Sequence, residues 1–315
     1  MSSVAVVVVA YGAREDLLRC LESTEGAGEV VVVDNAQEVD LPPAVEAARP
    51  GSEVLRMEEN VGFAAACNAG ATATQSDHVM FLNPDAMLAA GAIERLAAFL
   101  DEHPDVACVG PRLLHPDGSL QTSAYRFPTV FTEAVRLTGL GRLVPRRLLR
   151  KTPGIRSVAP SSGHFDPHDE ARPADFITGA CMLVRRSAFD AIEGFDETYF
   201  LYYEEIDLCR RLAAAGQATW LCPDAGATHR IGASSDTARR LVWEARHRSR
   251  IRYFDRHGGD VAAASIRLLT GTRVALGVLF DPLRIVVGRP RAGWDRRARV
   301  LRDCVIGAGE RQRPS

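Results

Sequence analysis

VAVVVVA, residues 4–10, is a run of seven apolar residues, five of them valine. An unbroken β-branched run of this kind marks a strand covered on both faces, the situation of a strand inside a parallel sheet. REDLLRCLES (14–23) follows at helical spacing, and EVVVVDN (29–35) repeats the buried-strand pattern. Working outward, the pattern predicts a third strand at Glu53–Met57, a helix at Gly62–Thr74, a fourth strand at Asp77–Leu82, a helix at 90–102 and a fifth strand at Val106–Val109. Strands alternating with helices predict an α/β fold with a mostly parallel sheet flanked by helices. LLHPDGSLQTSAYRFP (113–128) reads as a hairpin turning at Pro116-Asp117-Gly118. Residues 152–173 read as a long loop, order returns at Asp175–Val184, Glu204–Ala215 is an amphipathic helix, Ala218–Leu221 a short strand, and helices fill most of 236–305.

Charge is divided along the chain. Residues 230–315 carry 19 Arg against 8 acids, a surplus of 11 positive charges, while residues 1–229 have a surplus of 13 negative charges. An acidic body with a basic tail suits a cation site on one part and an anionic partner on the other, unless the arginines form a solvated helical face. The seven cysteines are scattered with no CxxC pair, which fits reduced thiols rather than disulfides or a zinc site. Met-Ser-Ser leads directly into the first strand without a basic n-region, which argues against a signal peptide. The most apolar late stretch, 274–287, is interrupted by Asp281, Pro282 and Arg284, so the expectation is a cytoplasmic protein, at most peripheral at the inner face of the plasma membrane.

Acidic groups stand at the strand ends. Asp34 closes the second strand and Asp85 follows the fourth in FLNPD, where Asn83-Pro84-Asp85 is either a plain turn or a ligand-holding strand end. Between them ENVGFAAACNAG (59–70) puts small residues where a helix begins, with Asn60 a candidate N-cap. These features describe a nucleotide cleft, with one carboxylate for base or ribose and another near the phosphates. A carboxylate beside a diphosphate is tolerable only with a divalent cation between them, and hard oxygen ligands favour Mg²⁺ or Mn²⁺. Asp85 is the candidate ligand and Asn83 its assistant. A GxGxxG fingerprint after the first strand is missing, as is a P-loop, which disfavours a dinucleotide oxidoreductase and a P-loop enzyme.

The ordered set VVVVAYG, VVVDN, ENVGFAAACNAG, FLNPD, FITGACMLVRRSAFDAIEGFDETYFLYYEEIDLCRRL and ATHRIGASS resembles glycosyltransferase family 2, in particular its rhamnosyltransferase-like branch, over about residues 3–257. The resemblance implies a GT-A fold as catalytic domain (1–257), followed by a helical, arginine-rich extension (258–315). It implies an inverting transferase that uses a nucleotide sugar, dTDP- or UDP-linked, with a divalent metal. Ala10 and Tyr11 would approach the base, and Asp34 the base or ribose. Asn60, Gly62, Phe63 and Asn68 would form the donor stretch, and Asn83-Pro84-Asp85 stands for the family's DxD. His229 matches a histidine that in some relatives binds metal or diphosphate. Gly179-Ala180 would lie beside the acceptor. In YEEIDL the base falls on Glu205, with Glu204 and Asp207 as open alternatives.

A sugar hydroxyl needs a carboxylate to accept its proton as it attacks. Arg246 and Arg250, four apart on a predicted helix, are candidate contacts to an anionic acceptor or to the diphosphate. The segment 265–293 mixes apolar faces with arginine and suits packing on the catalytic domain, a homodimer interface, or an anionic membrane carrying a lipid-linked saccharide acceptor. No nucleic acid partner is expected. The competing classes are a non-catalytic nucleotide- or carbohydrate-binding protein on the same fold, and a nucleotidyltransferase, for which AYGARED is a poor match.

Overall fold

In the computed structural model, residues 2–139, 170–230, 236–279 and 294–306 are described. Strands β1 (Val4–Ala10), β2 (Glu29–Asp34), β3 (Glu53–Arg56) and β4 (His78–Leu82) lie in the order β3-β2-β1-β4, all parallel. Helices α1 (Arg14–Glu22), α2 (Leu41–Ala48) and α3 (Phe63–Thr72) form the crossovers. The all-valine centres of β1 and β2 have no exposed side because both faces are covered. Strand order runs outward in opposite directions from β1, so the carboxyl ends of β1 and β4 flank a crevice, the place where open α/β sheets take ligands.

Beyond β4 the sheet becomes mixed. β5 (Ala86–Leu88), α4 (Ala92–Glu102), β6 (Val106–Leu114), β7 (Leu120–Gln121) and β8 (Ala124–Tyr125) come next, then β9 (Arg172–Ala174), β10 (Phe176–Ile177), β11 (Cys181–Arg185), the short helix α6 (Arg186–Ala191) and β12 (Ala218–His229). The sheet continues β4-β11-β6-β12-β5, with β11 antiparallel to both its neighbours. The expected hairpin is present: β7 pairs antiparallel with β6, and Gly118 takes φ +80° in the turn.

β12 is three times longer than the expected Ala218–Leu221 strand. Pro223 cannot donate to a ladder, and the register with β6 jumps from Cys222↔Pro111 to Gly226↔Arg112, so residues 223–225 form a bulge and pairing resumes up to Thr228. The bulge carries the strand on to His229. A second correction concerns α3, whose N-cap is Gly62 at φ +87°, not Asn60; the Asn60 side chain instead accepts from Gly62 N at 3.0 Å.

Contacts divide the chain into two units rather than at the single expected cut of 257/258. The first comprises residues 1–127, 161–197 and 204–233. The second takes in 128–160, 198–203 and 234–315, because α8 (Asp236–His257) packs with the helices after it. The expected 152–173 loop falls largely outside the described residues, as do residues 280–293 of the C-terminal segment. In the second unit α9 (Gly259–Leu279) packs against α5 (Val130–Thr138), α8 and α10 (Trp294–Ile306).

Arginine is abundant in this unit for an internal reason. Glu244 of α8 takes two bonds from Arg299 of α10, at 2.7 and 3.0 Å, and Arg248 reaches Asp303 at 2.6 Å. Both acids are fully buried, and a buried carboxylate needs such a partner. Part of the basic tail is therefore interhelical pairing, not a solvated face.

In the first unit α3 lies close on the sheet at Gly70, where an added Cβ would overlap Val7 Cγ1. Alanine normally gains about 1 kcal/mol over glycine inside a helix; here overpacking at a cost of about 1–3 kcal/mol wins. Gly70→Ala is expected to lower the unfolding free energy in urea titrations, and a stabilised variant would contradict the close packing of α3 on β1.

Candidate functional site

The carboxyl ends of β1, β2 and β4 carry the predicted residues. Ala10 is buried at the end of β1, and Tyr11 beyond it is 49% exposed, leaving an aromatic face available to a planar ring. Asp34 is enclosed: its Oδ1 accepts from Ala36 N and Glu38 N at 3.2 and 3.3 Å, and Oδ2 from Arg56 Nε at 3.3 Å. Arg56 is half exposed, whereas the Asp34 side chain is fully buried. Asn35 holds the neighbouring loop, donating to Asn60 Oδ1 and Gly62 O and accepting from Val61 N. Sequence reading missed it, although it stands next to Asp34 at the same strand end.

The loop after β4 is closed by Ala86 N donating to Asn83 O at 3.0 Å, and Asp85 sits inside that turn. β5 then pairs antiparallel with the end of β12 in the register Ala86↔His229. This sets His229 Nε2 at 3.1 Å from Asp85 Oδ1, with both side chains largely enclosed. Asn83 Nδ2 lies 3.4 Å from the same ring nitrogen. On the other side, His229 Nδ1 is 3.2 Å from Oε1 of buried Gln121. An amide oxygen only accepts, so this bond places a proton on Nδ1 and leaves Nε2 facing a carboxylate. Such a pair is satisfied by a proton on Nε2 or by a cation between the two atoms. Gln121 was also missed; only its place in the hairpin beside β6 could have signalled it.

Asn83 N donates to Ala180 O at 2.9 Å, and Gly179 is the neighbour of both Phe63 and Glu205: a Cβ on it would be 3.8 Å from Phe63 Cε1 and from Glu205 Cβ. The Gly179-Ala180 turn thus connects the Asp85 loop with the first turn of α7 (Glu204–Ala214). That helix opens with three acids that fare differently. Asp207 is buried and bonded to Arg211 Nε at 2.7 Å, one turn on. Glu204 is buried, and burial first, then the nearby Glu205 charge, push its carboxyl well above the usual range. Glu205 keeps part of its surface open.

Residues 5–193 match Glycosyl transferase family 2. The chain belongs to this family. A relative in Mycobacterium tuberculosis, N-acetylglucosaminyl-diphospho-decaprenol L-rhamnosyltransferase, is 32% identical over 272 residues, covering 81% of this chain and 85% of the relative. Among solved structures, the mannosyltransferase PcManGT from Pyrobaculum calidifontis, in complex with GDP-Man and Mn²⁺, superposes with a TM-score of 0.55 at 15% identity, covering 98% of this chain and 86% of that one. GalNAc-T7 with UDP, GalNAc and Mn²⁺ gives 0.54 at 15% identity over 81% of this chain, which spans 50% of that structure. The fold is GT-A, and the protein is a rhamnosyltransferase-like glycosyltransferase.

Two of the expected ligand contacts have partners within the protein. Asn68 Nδ2 donates to Phe195 O and Glu197 Oε1 and its Oδ1 accepts from Phe195 N at 2.9 Å, so the amide fastens α3 to that loop. Arg246 and Arg250, one turn apart on α8, differ in burial. Arg250 is buried, giving Nε to Glu133 Oε2 at 2.6 Å and to Tyr203 Oη at 3.3 Å. A buried guanidinium without a counter-charge would be costly, and Glu133 supplies it. Arg246 is exposed, over the Tyr202 ring at 4.4 Å.

The raised Glu204 carboxyl makes a pH prediction. Folding raises the Glu204 carboxyl above its ordinary value of 4.5, so its contribution to stability is present below that pH and is lost as pH rises through the folded value. Glu204→Gln should remove this loss. In melting curves between pH 5 and 8 the variant should gain on the wild type as pH increases; parallel curves would contradict a protonated Glu204.

Proposed function

We propose that this glycosyltransferase moves L-rhamnose from a nucleoside-diphosphate sugar to a hydroxyl of a lipid-linked saccharide, with inversion, in the assembly of a cell-surface polysaccharide. The observation that carries this reading is the Gly179-Ala180 turn, which touches both the Asp85 loop and Glu205. The sugar comes from the M. tuberculosis relative, whose name gives both rhamnose and a diphospho-decaprenol acceptor.

The donor nucleotide lies along Ala10, Tyr11 and the Asn60–Phe63 stretch, with Tyr11 against the base and Arg56 yielding Asp34 to it. Its diphosphate points to the Asp85–His229 pair. Asp85 and His229 would hold a Mg²⁺ or Mn²⁺ ion: a carboxylate oxygen and an imidazole nitrogen stand 3.1 Å apart at the strand end. A mixed carboxylate–imidazole set would favour Mn²⁺ over harder Mg²⁺. The ion would neutralise charge on the departing diphosphate.

Glu205 is the base. Burial disfavours the charged form of Glu204, Asp207 is engaged by Arg211, and the N-terminus of α7 favours an anion at Glu205. As the acceptor oxygen bonds to the anomeric carbon, its proton passes to Glu205 Oε. The bond from that carbon to the diphosphate oxygen breaks on the opposite face, and the electron pair leaves with the nucleoside diphosphate. Gly179 has no side chain to obstruct the acceptor next to Glu205.

The test is transfer from dTDP-L-rhamnose and competing UDP-sugars to a polyprenyl-diphosphate saccharide, with product anomers assigned by NMR. Glu205→Gln should lower kcat about 10²–10⁴-fold with donor KM little changed. Full kcat in Glu205→Gln would remove the base assignment, and a retained anomer would remove direct displacement.

A further inference from the structure

The second unit contains a cavity of about 610 Å³ between α5, α8, α9 and α10. That size falls within the ~300–1,000 Å³ of small-molecule sites. Its wall is mainly apolar, with Trp243, Leu268, Val274 and Leu276 contributing, and Arg273 and Arg297 supply charge. No acid is found in the wall among the described residues. Leu268 and Leu276 are 71% and 47% exposed, so the apolar surface continues out to solvent. His247, also in the wall, is held down to about 3 by burial and then by Arg250, Arg273 and Arg246.

We propose that this cavity takes the first isoprene units of a polyprenyl-diphosphate acceptor, its aliphatic wall covering the chain and Arg273 and Arg297 meeting the diphosphate. Apolar walls next to arginine with no acid complement an amphiphile with a compact, doubly charged anionic head. A homodimer contact would not need a concavity, and a bilayer surface would not need one lined by four helices. The inference rests on the lipid-linked acceptor proposed above, and gives that acceptor a place on the chain. The cavity holds a short run of the chain, and the exposed leucines extend the track.

The experiment is isothermal titration of the full chain with geranylgeranyl diphosphate below its aggregation concentration. EDTA is present so that diphosphate does not bind through a cation in the first unit. Inorganic diphosphate, geranylgeraniol and phosphatidylglycerol vesicles are the comparison arms. Gly277 supplies the blocking variant: it lies in the cavity wall on α9 and a Cβ there meets nothing within 4 Å, so Gly277→Phe fills the space without strain and replaces a poor helix former.

Wild type should bind one geranylgeranyl diphosphate, at least tenfold tighter than inorganic diphosphate or geranylgeraniol. Gly277→Phe should weaken that binding at least tenfold with an unchanged melting temperature. Arg273→Ala, at an exposed position, should weaken the diphosphate and not the alcohol. Undiminished binding by folded Gly277→Phe overturns the proposal, as does equal binding of inorganic diphosphate. Vesicle binding without geranylgeranyl diphosphate binding would assign the surface to a membrane, and dimerisation lost in Gly277→Phe without lipid binding would assign it to a second copy; either overturns it too. Lipid binding by an enzyme that transfers no sugar to any lipid-linked acceptor would instead overturn the acceptor reading above and leave the cavity assignment standing.

Discussion

The antiparallel register Ala86↔His229 is the constraint on which the site depends. It brings together two side chains 144 positions apart in sequence and sets an imidazole against a carboxylate at 3.1 Å. Three local features make it possible. The Asn83-Pro84-Asp85 turn closes on itself and delivers Asp85 to the start of β5. The bulge at 223–225 lets β12 pass a proline and still reach His229. The bond from Arg230 N to Asp85 O at 3.0 Å continues the pairing one step past the histidine and fixes the loop from its other side. Gln121, on the hairpin strand beside β6, then orients the ring.

The three acids opening α7 show how one charged turn is divided among separate tasks. Three carboxylates this close cannot all stay ionised at low cost. Asp207 is compensated by Arg211, Glu204 is driven toward its neutral form by burial and by its neighbour, and Glu205 stays partly open beside Gly179. The same economy governs the helical unit, where Glu133, Glu244 and Asp303 are all buried and all paired with arginine. Removal of one partner from such pairs is far more damaging than replacing both, so these arginines belong to the architecture.

Much of the first unit was legible because its signals are local. Val4–Ala10 and Glu29–Asp34 read as buried strands from valine content alone, and Pro116-Asp117-Gly118 read as a turn. Asp85 and His229 were each singled out on resemblance, yet their adjacency was not readable, since it depends on a register between distant strands. β12 was read short because Pro223 ends a regular strand, and a bulge that accommodates proline has no residue code of its own. The partners of Asn68 and Arg250 were not readable for a shared reason: a polar side chain on a helix looks alike whether it faces a ligand or fastens a loop, and only the fold supplies Phe195 or Glu133 as the partner. The division into two units was hidden because the second gathers three separate stretches of chain.

The most direct measurement is the affinity of the metal-free protein for Mn²⁺ in the presence of a nucleoside diphosphate, read from the loss of the free-ion electron paramagnetic resonance signal. If the strand register builds a cation site, binding should be saturable with one ion per chain, be lost in Asp85→Ala and in His229→Ala, and weaken about 10–100-fold in Gln121→Leu, the range for partners that orient a ligand. Mn²⁺ affinity unchanged in the Asp85→Ala/His229→Ala double variant would contradict it.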